Sequence, residues 1–266
     1  MEKKIYDEFK AIVYQKAGIQ LGDKKESLVA ARVSKRLREL KLDDFRDYLS
    51  YLKKDESGEE MIQLIDVIST NVTSFFRESQ HFEYLKTQMQ VWLERGVRRF
   101  RFWSAACSTG EEPYTLAMVL QECAAGYNAD IRILATDIST NVLHKAIEGV
   151  YPQEKVAGIP SVLLSRYFNE VQVSNRDHYE VSDALKKMIV FRRLNLSEVP
   201  FPMKGPMDCV FCRNVMIYFD NEIRRRLLGE IQRLLKPEGI LFVGHAESLT
   251  GQLCNLKNVK PSVYVK

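Results

Sequence analysis

The chain has 266 residues, 45% of them hydrophobic and 28% charged, the make-up of a folded protein with one large unit and a small one. A formal charge of +4 is too small to argue for a nucleic-acid partner. No run of about 18 apolar residues exists to span a membrane, and the first residues, MEKKIYDEFKAIV, carry no apolar signal core. Five cysteines (Cys107, Cys123, Cys209, Cys212 and Cys254) are unevenly spaced. Cys209 and Cys212 sit in an apolar strand whose alternation sends them to opposite faces, which argues against a metal or a disulfide there. Reduced thiols and a cytoplasmic location are the expectation.

In chain order, residues 1–70 read as helices only. The first places Ile5, Phe9 and Val13 on one face; a second spans about 26–40 with Val29, Val33, Leu37 and Leu40 on its apolar stripe. A third covers 43–53, with Asp43 and Asp44 suited to its first turn, and a fourth covers 59–69. Residues 71–98 form a linker and a connecting helix. From residue 99 the pattern alternates: strand RFRFWSA, helix EPYTLAMVLQEC, strand IRILATD, helix TNVLHKAIEGV, and then strands MIVFRRLNL, MDCVFCRNV and ILFVGHAE. The helix NEIRRRLLGEIQRLL separates the last two strands, and KPEG at 236–239 is expected as the turn that ends this helix before the final strand. Such alternation predicts an α/β fold with a mostly parallel sheet covered on both faces. Between 165 and 182, YFNEVQV and HYEVS flank the polar SNRD, which predicts a β-hairpin in an inserted antiparallel subdomain at about 160–188.

Ligands of open α/β sheets bind beyond the carboxyl ends of the strands. The loop after the first strand is a series of small residues, Ser104 to Ser108 with Thr109 and Gly110, and it lacks the glycine spacing a pyrophosphate requires. Glu111 and Glu112 open the next helix. They either complement its dipole or attract a cationic ligand, and spacing alone does not separate the two. Asp137, ending the second strand, is placed to bind ribose hydroxyls or to cap the following helix. Taken together, the loop and Asp137 favour an adenosine-type ligand without phosphates, S-adenosylmethionine.

Six segments then give a family resemblance that runs through almost the whole chain: TNVTSFFRE at 70–78, WSAACSTGEEPYTLAM at 103–118, ATDIS at 135–139, LNL at 194–196, CRNVMIYFD at 212–220 and GHAESL at 244–249. In this order they resemble the chemotaxis receptor methyltransferases (CheR). The resemblance implies an all-α N-terminal domain at 1–70. It also implies a class I, Rossmann-like methyltransferase domain at 99–266 carrying the β-subdomain. Its implied activity is S-adenosylmethionine-dependent O-methylation of receptor glutamates, with S-adenosylhomocysteine as product; a different methyl acceptor or a non-catalytic cofactor sensor is the alternative. Carried over position by position, it implies that Asn71, Thr73, Arg77, Glu112, Asp137, Asn195, Leu196, Arg213 and Asn214 line the cofactor site. Glu112 would hold the methionine ammonium, Asp137 the ribose, and Asn195 and Leu196 the adenine. Arg77 and Tyr218 would lie nearest the transferred methyl, as the catalytic pair. Structural alternatives stand beside these roles: Asn71, Thr73 and Arg77 as closures of the domain junction, Tyr218 as a core aromatic, and Asn214 as a turn former.

Arg32, Lys35 and Arg36, with Arg38 and Lys41 nearby, leave the second helix on the side away from its stripe. Such a run is ordinarily a solvated face. The resemblance adds an expectation that Arg32, Lys35, Arg36 and Arg38 dock the acidic methylation helices of receptors. In part of the family the hairpin binds a receptor C-terminal peptide by strand addition.

Overall fold

The computed structural model describes residues 1–69, 71–249 and 255–266, so Thr70 and Cys254 lie outside the described residues. Four helices build the N-terminal unit: α1 (Lys3–Ala17), α2 (Glu26–Leu40), α3 (Phe45–Lys54) and α4 (Glu59–Ile68). Their apolar stripes meet in one core made of Phe9, Val13, Val29, Val33, Tyr48 and Leu64, each almost fully buried. Burial of each such side chain contributes about 2 kcal/mol, which explains why helices of this length hold together. Asp44 caps α3, its carboxylate accepting the N–H groups of Arg46 and Asp47 at 2.7 and 2.9 Å.

Helix α5 (Gln80–Glu94) leads to β1 (Arg99–Ala105), α6 (Glu111–Cys123), β2 (Asp130–Asp137) and α7 (Thr140–Glu148). Then come β3 (Val150–Pro152), α8 (Gln153–Val156), α9 (Ser161–Tyr167), β4 (Phe168–Val173), β5 (Arg176–Val181), α10 (Asp183–Lys186) and β6 (Ile189–Arg193). The chain ends with β7 (Met207–Cys212), α11 (Asn221–Leu234), β8 (Leu235–Val243), β9 (Lys257–Lys260) and β10 (Val263–Val265). The large sheet has the order β6-β2-β1-β7-β8-β10-β9, parallel from β6 to β8 and antiparallel beyond. Strand alternation feeds two cores: Phe100, Phe102, Cys209 and Phe211 face α5 and α6, whereas Trp103, Val210 and Cys212 face α11. Cys209 and Cys212 thus point to opposite faces, and burial raises both thiols well above their ordinary pKa.

Three local features differ from the sequence reading. The hairpin turn is two residues, Ser174 and Asn175, not SNRD; both are left-handed (φ 50° and 58°), so the tight turn forms without glycine. The small sheet gains a third strand, β3, from the end of the segment read as helix. KPEG is not a simple turn outside the sheet. Leu235 pairs with Met207 and Ile240 with Cys209, so the segment bulges within β8, with Glu238 at φ 62°. No described helix is long and apolar enough to cross a membrane.

Candidate active site

Strand order reverses between β1 and β7, and the crevice at their carboxyl ends is where a doubly wound sheet offers a site. The loop leaving β1 uses left-handed backbone at Ala106 (φ 64°), Ser108 (φ 50°) and Gly110 (φ 95°). At Gly110 a Cβ would stand 2.8 Å from the Tyr151 hydroxyl and 2.9 Å from Ala146 Cβ, so nothing larger fits. Asp137, 6% exposed, accepts the Ser108 N–H at 2.8 Å through Oδ2 and the Ser139 N–H at 3.0 Å through Oδ1. Burial raises its pKa, although these N–H donors oppose the shift. Asp137 is not the cap of α7. Ser139 takes that position, and Asp66 of α4 accepts the N–H groups of Thr140 (3.0 Å) and Asn141 (3.3 Å).

The adjacent glutamates divide. Glu111 is fully buried beneath the loop, accepting the Thr109 hydroxyl at 2.6 Å and pairing with Lys155 of α8 at 3.3 Å. Glu112 faces the crevice, where Ser104 donates to Oε1 at 2.7 Å and Arg213 reaches Oε2 at 3.2 Å. Burial pushes the Glu112 carboxyl up despite Arg213. Arg213, 5% exposed at the end of β7, turns its other side to Glu78, with Nη2 and Nε at 3.1 and 3.3 Å from Oε2. It also donates to the Arg77 carbonyl. Glu78 further accepts the Asn214 amide and the His245 backbone N–H, both at 3.3 Å. Burial opposes its ionisation, yet Arg213 and these donors together hold its pKa below the usual carboxylate value. Glu247 braces the same corner, accepting the N–H groups of Asn214 and Gly244 at 2.7 Å each. Here too glycine is required, since a Cβ on Gly244 would lie 2.4 Å from the Asn214 amide nitrogen.

Asn71, Thr73, Arg77, Glu112, Asp137, Asn195, Leu196, Arg213, Asn214 and Tyr218 all line one cleft, with α2 and the α1–α2 connection forming its opposite wall. Arg77 donates to the Val72 carbonyl at 2.8 Å. The side-chain amide of Asn195 is engaged in its own turn and in the Lys16 carbonyl of α1 (2.8 Å). Tyr218 lies on a 3-10 turn beneath Lys25, whose ammonium is 5.2 Å from the ring centroid. Of the basic residues on α2, Arg32 also lines the cleft and donates to the Ser69 carbonyl at 3.0 Å. Arg36 is bidentate to buried Glu60 (2.8 and 2.6 Å), whereas Lys35 and Arg38 are exposed. Sequence reasoning missed Glu78, Glu247 and Asp66. The one available signal was a carboxylate inside each motif or apolar run. Glu78, His81 and His245 bring ligand-type atoms within 4.8 Å of one another, but the fixed charge of Arg213 on Glu78 opposes a cation there.

Residues 4–69 match the family model described as the CheR methyltransferase all-alpha domain, and residues 71–265 match the CheR methyltransferase SAM binding domain. The chain is 41% identical over 262 residues to the chemotaxis protein methyltransferase of Borreliella burgdorferi, covering 96% of this chain and 91% of that one. It is 40% identical over 252 residues to chemotaxis protein methyltransferase 2 of Pseudomonas aeruginosa (95% and 89% covered). To the Escherichia coli chemotaxis protein methyltransferase it is 39% identical over 239 residues (90% and 82%). With both models matched in order across nearly its whole length, the chain belongs to the CheR methyltransferase family, enzymes that transfer a methyl group from S-adenosylmethionine.

Proposed function

We propose that the enzyme methylates glutamate side chains of chemotaxis receptors, leaving S-adenosylhomocysteine. The observation that carries this reading is the convergence of two carboxylates, the part-buried Glu112 and the buried Asp137, with Arg77 and Tyr218 in one cleft. The donor set fits the cofactor. A phosphate would meet two carboxylates at the strand ends, whereas an ammonium and ribose hydroxyls find acceptors with lone pairs still free. Glu112 is assigned to the ammonium, Asp137 to the ribose, Asn195 and Leu196 to the adenine edge, with Asn71, Thr73, Arg213 and Asn214 completing the wall. S-adenosylmethionine supplies an electrophilic methyl carbon whose sulfur leaves as a neutral thioether.

A receptor glutamate, with a pKa of about 4.3, is already ionised at neutral pH, so no general base is needed. The chain's task is alignment within about 3 Å of the methyl carbon. Arg77 can turn its guanidinium from the Val72 carbonyl to a carboxylate, and the Tyr218 hydroxyl lies on the same cleft. We assign receptor approach to the α2 side, where Lys35 and Arg38 offer exposed charge; Arg32 and Arg36 are bonded within the protein and contribute field more than contact. The exposed edge of β4 is the place for a receptor C-terminal peptide to add a strand. We treat 1–70, 71–98 and 99–266 as the helical domain, connecting segment and catalytic domain. The test uses a cytoplasmic receptor fragment and methyl-labelled cofactor. Label released by mild base and mapped to glutamate by mass spectrometry is the expected result; cofactor turnover without ester on any receptor fragment overturns the substrate assignment.

A further inference from the structure

Arg213 is shared unequally between two carboxylates. Glu78 takes two of its N–H groups (3.1 and 3.3 Å), Glu112 one (3.2 Å), and the rings of Phe82 and Phe211 cover the guanidinium at 5.6 and 6.0 Å. Glu78 itself is fixed. Its backbone is left-handed (φ 55°), and its carboxylate also accepts from Asn214 and His245, tying the ends of β7 and β8 to the start of α5. His81, whose pKa burial and Arg213 depress to about 4, is neutral at physiological pH and adds no charge. Glu78, Arg213 and Glu112 therefore form a cluster of two negative charges and one positive, net minus one. Without Glu78 the cluster would be neutral, with Arg213 paired to Glu112 alone.

We infer that Glu78 is a positioning and specificity-determining residue. By sharing Arg213 with Glu112 it leaves one more negative charge at the cleft than the guanidinium neutralises, which shifts the balance of affinities towards the cationic cofactor and away from its uncharged product. S-adenosylmethionine carries an ammonium, a carboxylate and a sulfonium, net plus one; S-adenosylhomocysteine lacks the sulfonium and is net neutral. In a half-buried site a unit charge is screened far less than in water, so the cluster's charge acts on the difference between the two ligands. This inference rests on the cofactor placement proposed above.

Titration calorimetry with each ligand separately tests it. In Glu78→Gln the product Kd divided by the cofactor Kd should fall on the order of tenfold below the native ratio at low salt. Equal changes in both affinities, or none, would reduce Glu78 to a structural brace and overturn the inference. Removing one partner of a buried ion pair leaves a charge uncompensated, so Glu78→Gln can fail to fold; replacing both partners is milder. The double variant Glu78→Gln, Arg213→Gln leaves Glu112 as the cluster's one charge, net minus one again. It should weaken both ligands yet return the ratio to its native value, and a ratio that stays depressed overturns the inference. Glu112→Gln separates the two levels. Unchanged cofactor affinity there refutes the placement itself, whereas a weakened Glu112→Gln beside an unaltered Glu78→Gln ratio refutes the role of Glu78 alone.

Discussion

The cleft has two unlike walls. On the sheet side Asp137 and Arg213 are 6% and 5% exposed, and each is held by partners contributed from other elements. On the helical side Lys25, Arg32 and Arg77 are half-exposed, and Arg32 and Arg77 donate to backbone carbonyls: Arg32 to Ile68 and Ser69, Arg77 to Val72. A buried wall with satisfied polar groups holds one geometry, because every displacement strands a donor or a charge. A half-exposed wall trades its bonds for water at little cost and can follow a substrate. The proposed division of labour follows: the sheet wall governs the cofactor, the helical wall governs the methyl acceptor.

Substitutions on either side can break that division. Arg77→Ala should reduce turnover about 1000-fold with cofactor affinity changed far less, since alignment of two reactants carries several kcal/mol. An unchanged rate in a methyl-transfer assay removes Arg77 from the chemistry. Behind the sheet wall, His81 holds its pKa near 4 against an ordinary 6.5, through burial first and Arg213 second. Between those values the unfolded chain binds a proton that the folded chain refuses, so stability falls as pH drops from 6.5 towards 4, by about 3 kcal/mol. His81→Phe should flatten this acid limb in urea unfolding followed from pH 7 to 4; an equal slope in both proteins would place the acid sensitivity elsewhere. Asp137→Ala should weaken S-adenosylmethionine binding about 100-fold, about 2.7 kcal/mol, and a calorimetric Kd within twofold of native rules out its ribose role. Smallest is the outer face of α2. Lys35→Glu with Arg38→Glu should raise the receptor KM about threefold to tenfold and leave cofactor Kd alone, the difference vanishing at high salt.

The same contrast explains what could be read from the sequence. Helix α2 forms where its apolar stripe put it, over Glu26–Leu40, and the ten residues named for the cleft gather there, because short motifs at strand ends are local and the sheet brings those ends together. Long-range pairing was hidden. Glu78 meets Arg213 across 135 positions and Asp66 meets Thr140 across 74, and nothing in either neighbourhood advertises the partner. Arg36 shows the reverse error. On a helical wheel it is a solvated charge, but Glu60 on α4 takes it with a bidentate grip and the Tyr48 hydroxyl joins them at 2.6 Å. Strands β9 and β10, of four and three residues, are too short to show alternation. Their order is set by pairing: β10 covers the edge of β8, and β9 covers β10.

Asp66 carries a consequence for how the enzyme can be divided. Its carboxylate leaves a helix of the N-terminal unit and answers the first N–H groups of α7, which starts immediately beyond the loop that follows Asp137. Cut free of residues 1–69, the sheet domain would keep the Ser139 cap but expose the start of α7 with the Thr140 and Asn141 N–H groups unanswered. The small helical unit is thus a structural crosspiece of the crevice as well as the proposed receptor-facing surface, and a shortened enzyme would lose definition at the site before it lost its fold.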